Sequence, residues 1–179
     1  MISEINLEKL RYPVGRFIVP KSYSENDIKT WIETISNFPF LLRKEVERLS
    51  DAELDIPYRE DAWTARQVVH HVADSHINSY VRFKLALTED NPVIKPYFED
   101  RWAELPEAKK APVDISLNLI DALHKRWTLM LRNMQPTDFE RTYFHPEHKK
   151  SQPLAQILAL YEWHCRHHLA HITSIKAPK

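Results

Sequence analysis

A single glycine, Gly15, stands among 179 residues, against twelve prolines. This scarcity limits the fold more than any other feature. Tight hairpins and barrel corners use glycine where φ turns positive, so the composition argues against a β-rich architecture. It also removes every glycine-rich phosphate loop, both the dinucleotide fingerprint and the P-loop. Helix interiors do without glycine. Long periodic segments parted by proline-marked linkers therefore point to an all-α domain.

Four such segments can be read. The first opens at Ser24 as N-cap and runs to about Leu49, with Trp31, Ile35, Phe38, Leu42, Val46 and Leu49 on one stripe. Pro39 lies inside it and should kink or split the helix. Ser50 to Glu53 reads as a capping box for a short helical turn. The second helix opens near Asp61 to Thr64, where Thr64 and Gln67 fit a second box, and runs to about Leu87. It is apolar almost all round, as buried helices are. A proline- and acid-rich loop spans 88–112. The third helix starts behind Asp114, with Ile120, Leu123, His124, Trp127, Leu131 and Met134 as its stripe. Thr137 to Glu140 reads as a further capping box. The fourth helix begins after Ser151 and runs to about Ile175. Residues 1–23, with Pro13, Gly15 and Pro20, read as an extended N-terminal arm packed along the body. The expected fold is all-α: one four-helix bundle over 1–179, with a crossover connection allowed by the long loop between helices two and three.

Composition narrows the function classes. Lys+Arg and Asp+Glu number 25 each, which argues against a nucleic-acid partner. The lone cysteine, Cys165, excludes an internal disulfide and fits a reducing cytosol. The first nine residues carry no apolar signal core, and no run approaches the roughly 20 apolar residues of a membrane span. A cytoplasmic protein without a membrane partner is expected.

Chemistry concentrates in Trp163-His164-Cys165-Arg166-His167-His168-Leu169-Ala170-His171. Residues four apart stack on one helix face, so His164/His168 and His167/His171 are both potential metal-ligand pairs. Leu154, Tyr161, His168 and Ile175 recur every seven residues, and Ile157, His164 and His171 form a second row. These rows place His164 and His168 on the buried seam, put His167 at its edge, and make His171 a weaker candidate near the helix end. Two imidazoles do not fill a tetrahedral shell. A third ligand would come from His70, His71 or His76 on helix two, or His124 on helix three, and periodicity does not choose among them.

The stretch His71-Val72-Ala73-Asp74-Ser75 behind Trp63-Thr64-Ala65-Arg66-Gln67, with Trp163-His164 and His168-Leu169-Ala170-His171-Ile172, resembles the DinB-like metalloprotein superfamily. Tyr12-Pro13-Val14-Gly15, Asp74-Ser75-His76, Tyr80 to Leu85, Pro96-Tyr97 and His124 to Trp127 resemble its YfiT subgroup, described as metal-dependent hydrolases. The resemblance implies a four-helix bundle, a homodimer, and a metal site formed by His71, His164 and His168. It implies zinc or nickel as the ion, with zinc favoured. It also implies a small-molecule substrate acted on by hydrolysis, or by S-transfer with a low-molecular-weight thiol of the bacillithiol type. Many relatives carry Arg-Gly-Gln after the last ligand. Here Leu169-Ala170-His171 stands there, as in the subgroup, so substrates of the wider family do not carry over.

Three neutral imidazoles would leave a divalent ion an open position, where water is acidified or a thiol deprotonated. No glutamate lies between the paired histidines to act as base, and Asp74 lies almost one turn beyond His71, suited to orienting a ligand or acting on water. The alternative is a non-enzymatic, metal-stabilised binding or stress-response module, with His76 or His171 closing the shell.

Overall fold

Three side chains start helices where the sequence places them. Ser24, Ser50 and Thr64 each accept a backbone N–H from the residue three ahead, whose side chain reaches back to the cap backbone. The computed structural model describes residues 4–175. Its helices are α1 (Glu4–Arg11), α2 (Glu25–Val46), α3 (Asp51–Leu54), α4 (Ala65–Thr88), α5 (Glu99–Ala103), α6 (Pro106–Lys110), α7 (Val113–Asn133) and α8 (Leu154–Ser174). A 3-10 turn spans Pro136–Glu140, and an antiparallel hairpin pairs β1 (Thr142–His145) with β2 (Lys150–Pro153).

The four long helices form the expected bundle, in an order the sequence left open. α2 packs on α7 and α8, and α4 packs on the same two. The consecutive helices α2 and α4 thus occupy opposite corners, and α7 and α8 the other diagonal. The loop after α4, holding α5 and α6, lies back along α4. The hairpin bridges the α7–α8 diagonal: Phe144 bonds Pro92 and Ile94 through its backbone, and the Arg141 guanidinium donates to the Ala86 carbonyl near the end of α4. The core between the corners holds Ile35, Phe38, Phe83, Trp127, Leu154 and Leu158, each at most 1 % exposed.

Several local expectations are corrected. Residues 4–11 of the supposed arm are helical: the prolines and the glycine lie beyond them, and Lys9 and Arg11 complement the dipole at the last turn. Residues 1–3 lie outside the described residues, and 12–23 are non-helical as read, with a turn in which the Gly15 N–H donates to the Tyr12 carbonyl at 2.9 Å. α7 starts at Val113, two residues early, with Pro112 rather than Asp114 at its cap position. The capping box read at Thr137 sits instead at Gln135, whose backbone N–H donates to Asp138 at 2.8 Å. α8 starts at Leu154 rather than just after Ser151, because Pro153 keeps the preceding residue extended. Pro39 does not split α2, which runs through it. No described helix is long and apolar enough to cross a membrane.

Candidate metal centre

α4 and α8 are neighbours in the bundle, so His71 meets the His164/His168 pair across their interface. The ring centroids lie 5.5 Å (His71–His164), 5.0 Å (His71–His168) and 4.4 Å (His164–His168) apart. One nitrogen from each ring lies within 4.8 Å of the other two. Around a tetrahedral zinc, ligand nitrogens stand about 3.4 Å apart, so small side-chain rotations would close this set on an ion. Tyr161 holds the two helices together here: its hydroxyl donates to the Ser75 carbonyl at 3.0 Å.

Hydrogen bonding separates the helix-two histidines that the sequence left equivalent. His70 is used twice, its Nε2 donating to the Ala111 carbonyl at 3.2 Å and its Nδ1 accepting from the Ser116 hydroxyl at 2.7 Å. His76 is also used twice, between His124 at 2.7 Å and His164 at 3.0 Å. His71 makes no hydrogen bond among the described residues, and its ring packs against those of Trp63, His164 and His168. It is the member of the three whose lone pair is uncommitted.

Burial sets the protonation of these rings. It lowers His71 to about 4. Burial, and then the neighbouring imidazoles, push His164 and His168 well below the usual histidine range. Three neutral imidazoles at neutral pH are what a divalent ion needs from its ligands.

The centre lies on the wall of a cavity of about 490 Å³. Arg11, Tyr58, Arg59, Arg82 and Tyr97 line the rest, with Glu99 and Asp100 among them. The sequence reading missed Tyr58 and Arg59, since nothing in a loop's periodicity shows that it folds over α8. A groove of similar size between α2 and α7, under Tyr23 and Phe139, contains no histidine.

His167 and His171 are more buried than the heptad rows imply, at 8 % and 2 % exposed. The N-terminal segment covers them. Tyr12 lies against His167, Trp163 donates to the Gly15 carbonyl at 2.9 Å, and the Arg11 carbonyl accepts from His171 Nε2 at 3.3 Å. His167, His168 and His171 make a second cluster of metal-ligand type that shares His168 with the first.

Two other residues fall outside the site. Asp74 is absent from the cavity wall; burial and Glu107 on α6 raise its carboxyl to about 6. Cys165 is buried, with its thiol pushed well up by that burial.

Known proteins share this fold and much of this sequence. A family model described as the DinB superfamily matches residues 40–172. Over 170 residues the chain is 52 % identical to a Bacillus cereus (strain G9842) protein and 51 % identical to a Bacillus mycoides (strain KBAB4) protein. Both are named "Putative metal-dependent hydrolase", and each match covers 95 % of this chain and 97 % of the relative. The solved structure of YfiT from Bacillus subtilis, whose published description includes an unusual four-helix bundle topology, superposes with a TM-score of 0.91 at 46 % identity, covering 93 % of this chain and 95 % of that one. By sequence and by fold, the chain belongs to the YfiT-like branch of the DinB superfamily.

Proposed function

We propose that this chain is a metal-dependent hydrolase whose open three-histidine centre is built by His71, His164 and His168. One observation carries the reading: three uncharged imidazoles from two helices converge within 4.8 Å on the wall of a cavity sized for a small molecule. The names of the relatives agree with it. Zinc is the ion proposed, and nickel suits the same nitrogen set.

A divalent ion held by three neutral ligands keeps its full charge and an open position, and so supplies the Lewis acidity that makes a water or a thiol a nucleophile near neutral pH. The chain's own residues do the rest. Trp63 packs on His71 and limits its ring rotation, with centroids 4.7 Å apart. Arg11, Arg59 and Arg82 outnumber Glu99 and Asp100 on the cavity wall and would hold an anionic group of the substrate. That lining also favours the second reading, S-transfer with a carboxylate-bearing thiol of the bacillithiol type. Exposed Phe40 and Leu41 on α2, beside exposed Ile115, Leu119 and Leu129 on α7, support a homodimer.

Metal analysis of untagged protein tests the centre, with one ion per chain expected. Zinc-loaded protein is then assayed against a panel of esters and amides, and separately with bacillithiol and monochlorobimane. Turnover only in the second assay selects S-transfer. No turnover above the metal-free control in either, together with a His164→Ala variant that loses stability alone, would make the ion structural.

A further inference from the structure

Pro39 has no N–H, so the carbonyl of Ile35, four residues back in α2, lacks its helical donor. His124 on α7 fills that place, with Nδ1 at 2.7 Å from the Ile35 oxygen. From there a line of imidazoles crosses the bundle. His124 Nε2 lies 2.7 Å from His76 Nδ1 on α4, and His76 Nε2 lies 3.0 Å from His164 Nδ1 on α8. The line touches all four long helices and ends on a proposed metal ligand. Its two middle rings are fully enclosed, at 0 % and 1 % exposed, and stack at 20° to each other. Phe38 covers both.

Proton counting gives this line a direction. A carbonyl oxygen only accepts, so His124 Nδ1 carries the hydrogen. With one proton per ring, His124 Nε2 is an acceptor and His76 Nδ1 must donate to it. His76 Nε2 is then the acceptor, and His164 Nδ1 the donor. No carboxylate hydrogen-bonds to any of the three rings among the described residues. The reverse arrangement would set a nitrogen lone pair against the Ile35 oxygen lone pairs at 2.7 Å. Only one neutral arrangement satisfies all three contacts, and it leaves the lone pair of His164 on Nε2.

We propose that His124 and His76 are positioning residues for the metal centre, and that the carbonyl freed by Pro39 fixes the tautomer and ring orientation in which His164 offers Nε2 to the ion. A donor bond from the far ring nitrogen also makes the ligating nitrogen more basic. The inference rests on the three-histidine centre proposed above, and adds residues from α2 and α7 that touch neither ion nor substrate.

Two measurements test it. Long-range nitrogen–proton NMR correlations on the metal-free protein read the tautomers directly: His164 and His76 should each carry the proton on Nδ1. Zinc affinity is read by competition with a chromophoric chelator. His124→Phe keeps the ring packing and removes the acceptor, and should weaken zinc by about tenfold or more. His124→Gln keeps an acceptor for His76 and should stay within about threefold of wild type. A proton on His164 Nε2 in the wild type overturns the proposal, as does wild-type zinc affinity in a folded His124→Phe. If His124→Phe does not fold, the wild-type tautomers decide. If the wild type binds no zinc, the proposed centre fails, while the NMR result still reports on the line of imidazoles.

Discussion

The ring of Tyr58 lies 3.9 Å from that of His171, inclined by only 15°. The outer row of α8 histidines is thus closed by a residue from the segment just before α4. The Arg11 carbonyl accepts from the same imidazole, so His171 is held from two sides by groups that are not ligands.

His168→Ala should therefore abolish zinc binding, while His171→Gln should keep one ion per chain, measured by metal analysis after dialysis. Equal loss in both variants would assign the ion to the His167, His168 and His171 cluster instead. Tyr58→Ala should lower stability by about 1 kcal/mol through the lost stack.

Acid should destabilise the metal-free protein at milder pH than its carboxylates would. His71 and His124 are each held near 4 by burial, so both stay neutral in the native state. In the unfolded chain they take up protons below about 6.5. Between about 6.5 and 4 the unfolded state binds more protons, so stability falls as pH falls, by up to about 1.4 kcal/mol per pH unit for each residue. Zinc binds the native state and should move the acid midpoint lower. Acid titrations followed by far-UV circular dichroism, with and without zinc, check both statements. Coincident curves would count against a native-state zinc site.

Asp74→Asn should stabilise the protein at pH 8. The wild-type carboxyl, raised to about 6 by burial and then Glu107, must ionise at a cost there. Its folded value lies above the unfolded one, so the cost is absent below about pH 4 and grows as pH rises through 6. After allowance for partial exposure the gain at pH 8 is about 1 kcal/mol, vanishing below pH 4. Denaturant melts at the two pH values read the difference. Zinc affinity should be unchanged, because Asp74 does not line the cavity.

Cys165 should be inert in the native protein. Burial raises its thiol well above the ordinary range, and thiol chemistry runs through the thiolate. Alkylation by iodoacetamide should proceed only at the rate of unfolding. Cys165→Ala should lose about 1 kcal/mol of stability and keep its zinc.

The sequence by itself determined the four long helices, the caps at Ser24, Ser50 and Thr64, and the placing of His164 and His168 on one helix face, because a cap needs only a residue three ahead and a helix face only a fixed period. It also forced a substitute for glycine. Outside Gly15, the left-handed positions fall on Asp61, Asn91 and Lys149, two of them residue types that tolerate that region. Pro39 and His124 were both visible, as a helix breaker and a histidine on a core stripe, yet nothing local joined them. Only the tertiary structure set α2 and α4 on opposite corners, laid α1 and Tyr58 over the outer histidines, and sorted His70, His71 and His76 by their partners. Those outcomes depend on which groups meet across tens of residues. A hydrogen-bond donor is committed or free according to what lies opposite it, and no periodicity within one helix records that.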